Sequence, residues 1–76
     1  MTGKILIAED DAILRDYIAL GLREQGYLTD AVGSAAALRE AALATRFDLW
    51  ILDRRMPDGD GLEALRALRA GGAMTP

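Results

Sequence analysis

Twelve acidic residues are distributed over 76, and two groups of them stand where short apolar runs end. Glu9-Asp10-Asp11 follows Lys4-Ile5-Leu6-Ile7-Ala8, and Asp53 follows Phe47-Asp48-Leu49-Trp50-Ile51-Leu52. If those two runs are neighbouring strands, at least three carboxylates converge on one crevice. A pair of carboxylates about 4 Å apart repels by roughly 4 kcal/mol at an effective dielectric near 20, so protonation or a bound cation must offset the cluster. All-oxygen ligation suits magnesium rather than zinc. An aspartate beside such an ion can act as a nucleophile toward a phosphoryl group whose charge the ion neutralises, and Asp53 is the natural candidate. The chain has no cysteine and no histidine, which removes thiol and imidazole nucleophiles, disulfides and the usual zinc ligands.

Each acid also has a plainer reading. Asp11 suits the N-cap of a helix, where the dipole favours negative charge. Glu9 and Asp10 taken alone serve equally as turn residues or ligands, and Asp53 alone is a plausible turn residue. Acids at two strand ends together favour a site. Asp48 lies at the entrance of its strand, as a solvated or capping residue. Asp58 and Asp60 suit a glycine-rich turn leading into a helix, with Asp60 as its N-cap. Gly59-x-Gly61-x-x-Ala64 follows a strand and matches the loose dinucleotide fingerprint, but five residues separate Asp53 from Gly59 where a tight turn is needed. Asp58 and Asp60 would also repel a pyrophosphate. No P-loop is present.

The elements that must hold these residues are legible in the spacing. Lys4 to Ala8 reads as a strand buried on both faces. A helix begins near Asp11 on Leu14, Ile18 and Leu22, with Tyr17 and Gly21 beside them, and Gly26 stops it. Tyr27 to Val32 is a more polar strand, as an edge strand would be. Gly33-Ser34 is a turn with an N-cap serine before an alanine-rich helix anchored by Leu38 and Leu43 and running through Ala44. Phe47 to Leu52 is the third strand, with Leu49 and Ile51 on one side and Trp50 and Leu52 on the other. The polar loop from Arg54 to Gly61 is long enough to carry a site, and a third helix runs from about Leu62 to Ala70 on Leu62, Leu65 and Leu68. Strand and helix alternate three times, which implies a parallel sheet, right-handed crossovers and helices on its faces. In such sheets ligands gather outside the carboxyl ends of the strands.

Length allows one small domain, marginal by itself without a staple. Half the residues are hydrophobic (51%) and the net charge is only -3, so the chain can support a core. No apolar stretch is long enough for a membrane span and no secretory signal is visible, so the cytoplasm is the expected compartment. A pI near 4.7 argues against nucleic-acid binding by this segment. Lys4 is the only lysine, against eight arginines.

With these residues in view, the sequence resembles the receiver domain of two-component response regulators. Lys4-Ile-Leu-Ile-Ala-Glu9-Asp10-Asp11 is similar to the family's first strand with its acidic pair. Phe47 to Asp53 is similar to its phosphoacceptor strand, and Arg54-Arg55-Met56-Pro57-Asp58-Gly59-Asp60-Gly61 to the loop beyond. The resemblance covers all 76 residues. It implies a flavodoxin-like α/β fold with strand order 2-1-3, and Asp53 accepting a phosphoryl group from the phosphohistidine of a sensor histidine kinase. It further implies Mg2+ held by Asp10, by Glu9 mainly through water, by Asp53 and by the backbone carbonyl of Arg55.

The family fold has five β-α units, so residues 1–76 are expected to be a partial receiver of three units without an output domain. The family's switch serine or threonine ends the fourth strand, which Thr75 does not, and its lysine follows the fifth strand, which Lys4 cannot replace. Phosphorylation is therefore expected to be impaired, and the receiver is a relay module rather than an enzyme. Two alternatives to the relay reading are self-association without phosphotransfer, as a homodimer formed through a bare outer edge on the Trp50 strand or by exchange of elements, and, less favoured, an aspartate-nucleophile hydrolase. The latter usually has a second aspartate two residues after the nucleophile, where this chain has Arg55.

Overall fold

The computed structural model describes residues 3–76. Strand β1 (Lys4–Ala8) leads into helix α1 (Ala12–Glu24), β2 (Leu28–Val32), α2 (Ala35–Ala44) and β3 (Leu49–Leu52). A short ribbon of β4 (Arg55–Met56) and β5 (Gly59–Asp60) then precedes α3 (Gly61–Ala70). The main sheet is parallel in the order β2-β1-β3, as the resemblance implies. Its register runs from Lys4 opposite Leu28 to Ala8 opposite Val32, and from Ile5 opposite Leu49 to Ala8 opposite Leu52. The polar loop after Asp53 is largely the antiparallel β4-β5 ribbon.

Alternation along the central strand divides the core. Leu6 and Ala8 join Trp50, Ala35, Leu38, Phe47, Met56, Ala64 and Leu68 on the face covered by α2 and α3, while Ile5 and Ile7 meet Ala19 of α1 on the other. Because β1 has a strand on each side and helices on both faces, it is continuously apolar. Its central residues Leu6 and Ile7 are fully buried, and burying a side chain of that size stabilises by about 1.5–3 kcal/mol relative to leaving it exposed. β2 is the polar edge strand that its sequence suggests, with no residue fully buried.

Helix starts follow local chemistry. Asp11 caps α1 by accepting from the Ile13 and Leu14 backbone N–H groups, Ser34 caps α2 through Ala37, and Asp60 caps α3 through Leu62. Gly26 stops α1 in the left-handed region, at φ 93°, where glycine carries no Cβ penalty. Asp48 accepts from the Lys4 backbone N–H at 2.8 Å, which ties the entrances of β3 and β1.

Three expectations need correction. Leu43 does not anchor α2: it is 81% exposed, because Leu38 and the small Ala35 already fill that helix's contact with the sheet. On α1 the apolar spacing overstates burial, since Ala19 alone is fully buried, Ile18 and Leu22 are half-buried and Tyr17 is 75% exposed. A single facing strand layer leaves the rest of that stripe uncovered. The outer edge of β3 is not bare at its centre either, because the Trp50 N–H donates to the Pro76 carbonyl at 2.8 Å. Pro76 therefore occupies a hydrogen-bonding position there that an edge-to-edge dimer would need.

Candidate functional site

Sheet pairing brings the two acidic strand ends together. The Asp53 N–H donates to the Ala8 carbonyl at 2.7 Å, one residue past β3, so Asp53 stands directly beside the point where β1 passes into Glu9-Asp10-Asp11. The Glu9 N–H donates to the Val32 carbonyl at 3.0 Å, so the acidic loop lies between the ends of β2 and β3. Asp53 and Glu9 are half-buried, and Asp10, Asp11 and Arg55 are exposed. A recess of about 260 Å³ opens beside Asp53, lined by Leu52, Asp53, Arg54, Gly61, Leu62 and Leu65.

The side chains are not drawn into one knot. Among the described residues no three acidic groups are close enough to hold a metal ion together, so the expected convergence of three carboxylates holds for the backbone positions only. The physical reason is that like charges repel and local backbone donors are available. Glu9 Oε1 accepts from the Asp11 N–H at 3.2 Å, and Asp53 Oδ1 from the Arg55 N–H at 3.3 Å. The donor set at this end of the sheet, carboxylates and peptide carbonyls, fits a hard cation such as Mg2+ and offers nothing to a soft metal.

Several contacts fix the backbone around Asp53. The Gly61 N–H donates to the Arg54 carbonyl at 2.7 Å, closing the loop onto itself. A Cβ on Gly61 would overlap the Asp53 carbonyl oxygen, so this glycine is required by close approach of two backbone segments rather than by its φ. Gly61→Ala is expected to cost about 1–3 kcal/mol, as overpacking against backbone does. Thermal unfolding checks it, and an unchanged midpoint would show that the loop can move aside freely. On the other side, the Arg15 guanidinium crosses above Gly33 and donates to the Glu9 carbonyl at 3.0 Å, bracing the acidic loop from the first turns of α1.

The contact that sequence reasoning missed is made by Asp58. Its Oδ1 accepts from the Ala35 N–H at 2.7 Å and its Oδ2 from the Ala36 N–H at 3.0 Å, so the loop after Asp53 caps a helix 22 residues earlier in the chain. These two N–H groups hold the Asp58 carboxyl below its usual pKa, because they stabilise the charged form. The pattern Asp-Gly-Asp-Gly marks a turn, but no local signal tells which helix Asp58 serves. Arg54 reaches back to Asp60 at 3.7 Å, an exposed ion pair of little energetic weight. Lys4 lies at the far end of β1, near Asp30 and above the Phe47 ring, remote from Asp53.

Comparison with known proteins agrees with this geometry. The family described as "Response regulator receiver domain" matches residues 5–76. The response regulator protein PmrA of Pseudomonas aeruginosa is 42% identical over 73 residues, which cover 96% of this chain and 33% of that protein. The chain thus spans about a third of the length of this curated relative. Among solved structures, the Francisella response regulator 1452 receiver domain superposes with a TM-score of 0.96 at 27% identity, covering 99% of this chain and 62% of that one. The response regulator protein TrrA of Thermotoga maritima, solved in complex with Mg2+ and BeF, superposes with a TM-score of 0.88 at 29% identity, covering 95% and 62% respectively.

Proposed function

Because this chain belongs to the response regulator receiver domain family, we propose that it takes a phosphoryl group onto Asp53 from the phosphohistidine of a sensor histidine kinase, as the receiving module of a two-component relay. The observation that carries this reading is the Asp53 N–H bonded to the Ala8 carbonyl, which sets the acceptor carboxylate beside Glu9-Asp10 at the carboxyl ends of β1 and β3. A carboxylate oxygen of Asp53 attacks phosphorus, the P–O bond forms and the P–N bond of the donor breaks. The bonding pair leaves with the imidazole nitrogen, which takes up a proton. The protein is consumed as an acceptor in each event and is not, on this reading, an enzyme.

Glu9, Asp10, Asp53 and the Arg55 carbonyl are the residues that would hold a cation here, and a related receiver structure, that of TrrA, in complex with Mg2+ supports Mg2+ as the ion. When bound, the ion supplies positive charge against the phosphoryl oxygens. Residues 1–76 form the first three β-α units of the receiver on this reading. Thr75 is not the family's switch residue, and Lys4 at the opposite end of β1 cannot pair with the phosphoryl group. No helix among the described residues is long and apolar enough to cross a membrane.

The direct test is labelling with a radioactive small-molecule phosphoramidate or acyl phosphate in Mg2+. One acid-stable, hydroxylamine-labile acyl phosphate per chain is expected, suppressed by EDTA. Label that resists hydroxylamine would place the phosphoryl group on a hydroxyl and sink the proposal.

A further inference from the structure

We propose that Asp58 is a positioning residue for the phosphoacceptor loop: its carboxylate, spanning the Ala35 and Ala36 N–H groups of α2, holds the β4-β5 ribbon and the Arg55 carbonyl in place beside Asp53. The inference rests on Asp53 as the acceptor and adds a determinant of its surroundings.

The ribbon needs such an anchor. Each of its strands is two residues long, and an isolated two-stranded hairpin is marginal at best in water. Met56 enters the core at one end, and the Gly61 N–H to Arg54 carbonyl bond closes the other. Between them the turn at Pro57-Asp58-Gly59 is exposed, and the two Asp58 bonds are its polar hold on the rest of the fold. Both join a carboxylate to backbone N–H groups at a helix N-terminus, the stronger class of hydrogen bond in the favourable field of the dipole. Gly59 suits this turn through its φ of 154°, a conformation L side chains rarely adopt, while a Cβ there would make only ordinary contact, 3.7 Å from the Ala35 Cβ.

Division of labour at α2 shows that Asp58 is not an ordinary cap. Ser34, the local N-cap, accepts from Ala37 only, at 3.1 Å, and leaves the two preceding N–H groups to the distant aspartate. Helix α2 therefore starts on two caps, one belonging to the helix and one to the acceptor loop. Removal of either weakens the helix, but only removal of Asp58 frees the loop.

That difference supplies the control. Asp58→Ala in the purified protein should weaken Mg2+ binding by about 10-fold in calorimetry, as losses of supporting contacts around metal ligands do, with the same shift in the Mg2+ needed for half-maximal labelling. Amide exchange at Arg55 and Met56 should speed up by at least about 10-fold through local opening. Asp58→Asn, which keeps one acceptor oxygen, should fall between. Ser34→Ala should lower the thermal midpoint as a lost cap does, yet shift Mg2+ affinity by less than about twofold. Equal shifts in Ser34→Ala and Asp58→Ala, or unaltered Mg2+ affinity in Asp58→Ala, would overturn the inference and reduce Asp58 to a helix cap. If instead the unmodified protein neither binds Mg2+ nor takes label, the acceptor reading itself fails. Exchange at Arg55 then still decides whether the anchor exists, and unchanged exchange in Asp58→Ala refutes it.

Discussion

Asp53→Asn is expected to bring phosphoryl labelling down to background while leaving the fold intact. The asparagine amide oxygen is neutral and a far weaker nucleophile than a carboxylate, and no neighbouring side chain can activate it as a base would activate a hydroxyl. A fall of at least about 100-fold is the result to look for, equal to a barrier higher by roughly 2.7 kcal/mol or more. The structural consequences should be slight. Asp53 Oδ1 accepts from the Arg55 N–H, and an asparagine Oδ1 can accept the same bond. Circular dichroism and the thermal midpoint should therefore match those of the parent protein. Asp10→Asn serves as the contrasting variant: it should lower labelling mainly through a greater Mg2+ requirement, recoverable at high Mg2+, whereas Asp53→Asn should not recover. Undiminished label in Asp53→Asn would transfer the acceptor role to another acid and remove the basis of the proposed function.

Leu38→Ala should produce the largest loss of stability. Leu38 is fully buried against Leu6, Ala8 and Trp50 of the sheet and Leu68 of α3, and truncating a leucine in such a place costs about 2–5 kcal/mol. Total stability for a chain of this size is about 4–11 kcal/mol, so the variant should be partly or wholly unfolded under mild conditions. Leu43→Ala, on the same helix but facing solvent, should stay within about 0.5 kcal/mol of the parent. Urea unfolding monitored by Trp50 fluorescence checks both. Equal effects at the two positions would contradict the packing of α2 described above. The core defect also reaches the site, because α2 carries the N–H groups that hold Asp58.

How far the sequence is legible depends on how local each cause is. The extents of the three main strands and three helices and the caps at Asp11, Ser34 and Asp60 all follow from patterns within a few residues, where hydrophobic period and capping chemistry act. The strand ending at Asp53 and the acidic run after β1 are likewise legible, because acids close both apolar runs and, brought together at one end of the sheet, repel unless something offsets them. Burial along α1 was overstated for the opposite reason. Spacing marks which residues share a face, but how much of that face is covered depends on the layer opposite, which the helix's own sequence does not encode.

The amino-acid sequence by itself determined the α/β alternation, the family and the position of Asp53 at the end of an apolar strand. Tertiary structure decided which acids actually interact. It turned Glu9 and Asp53 toward backbone donors instead of one another, assigned Leu38 rather than Leu43 to the core, and closed the centre of the β3 edge with Pro76. It also joined Asp58 to the start of α2 across 22 residues. Those outcomes depend on where two segments distant in sequence meet in space. Hydrogen-bond valence and like-charge repulsion then select partners that no local pattern names.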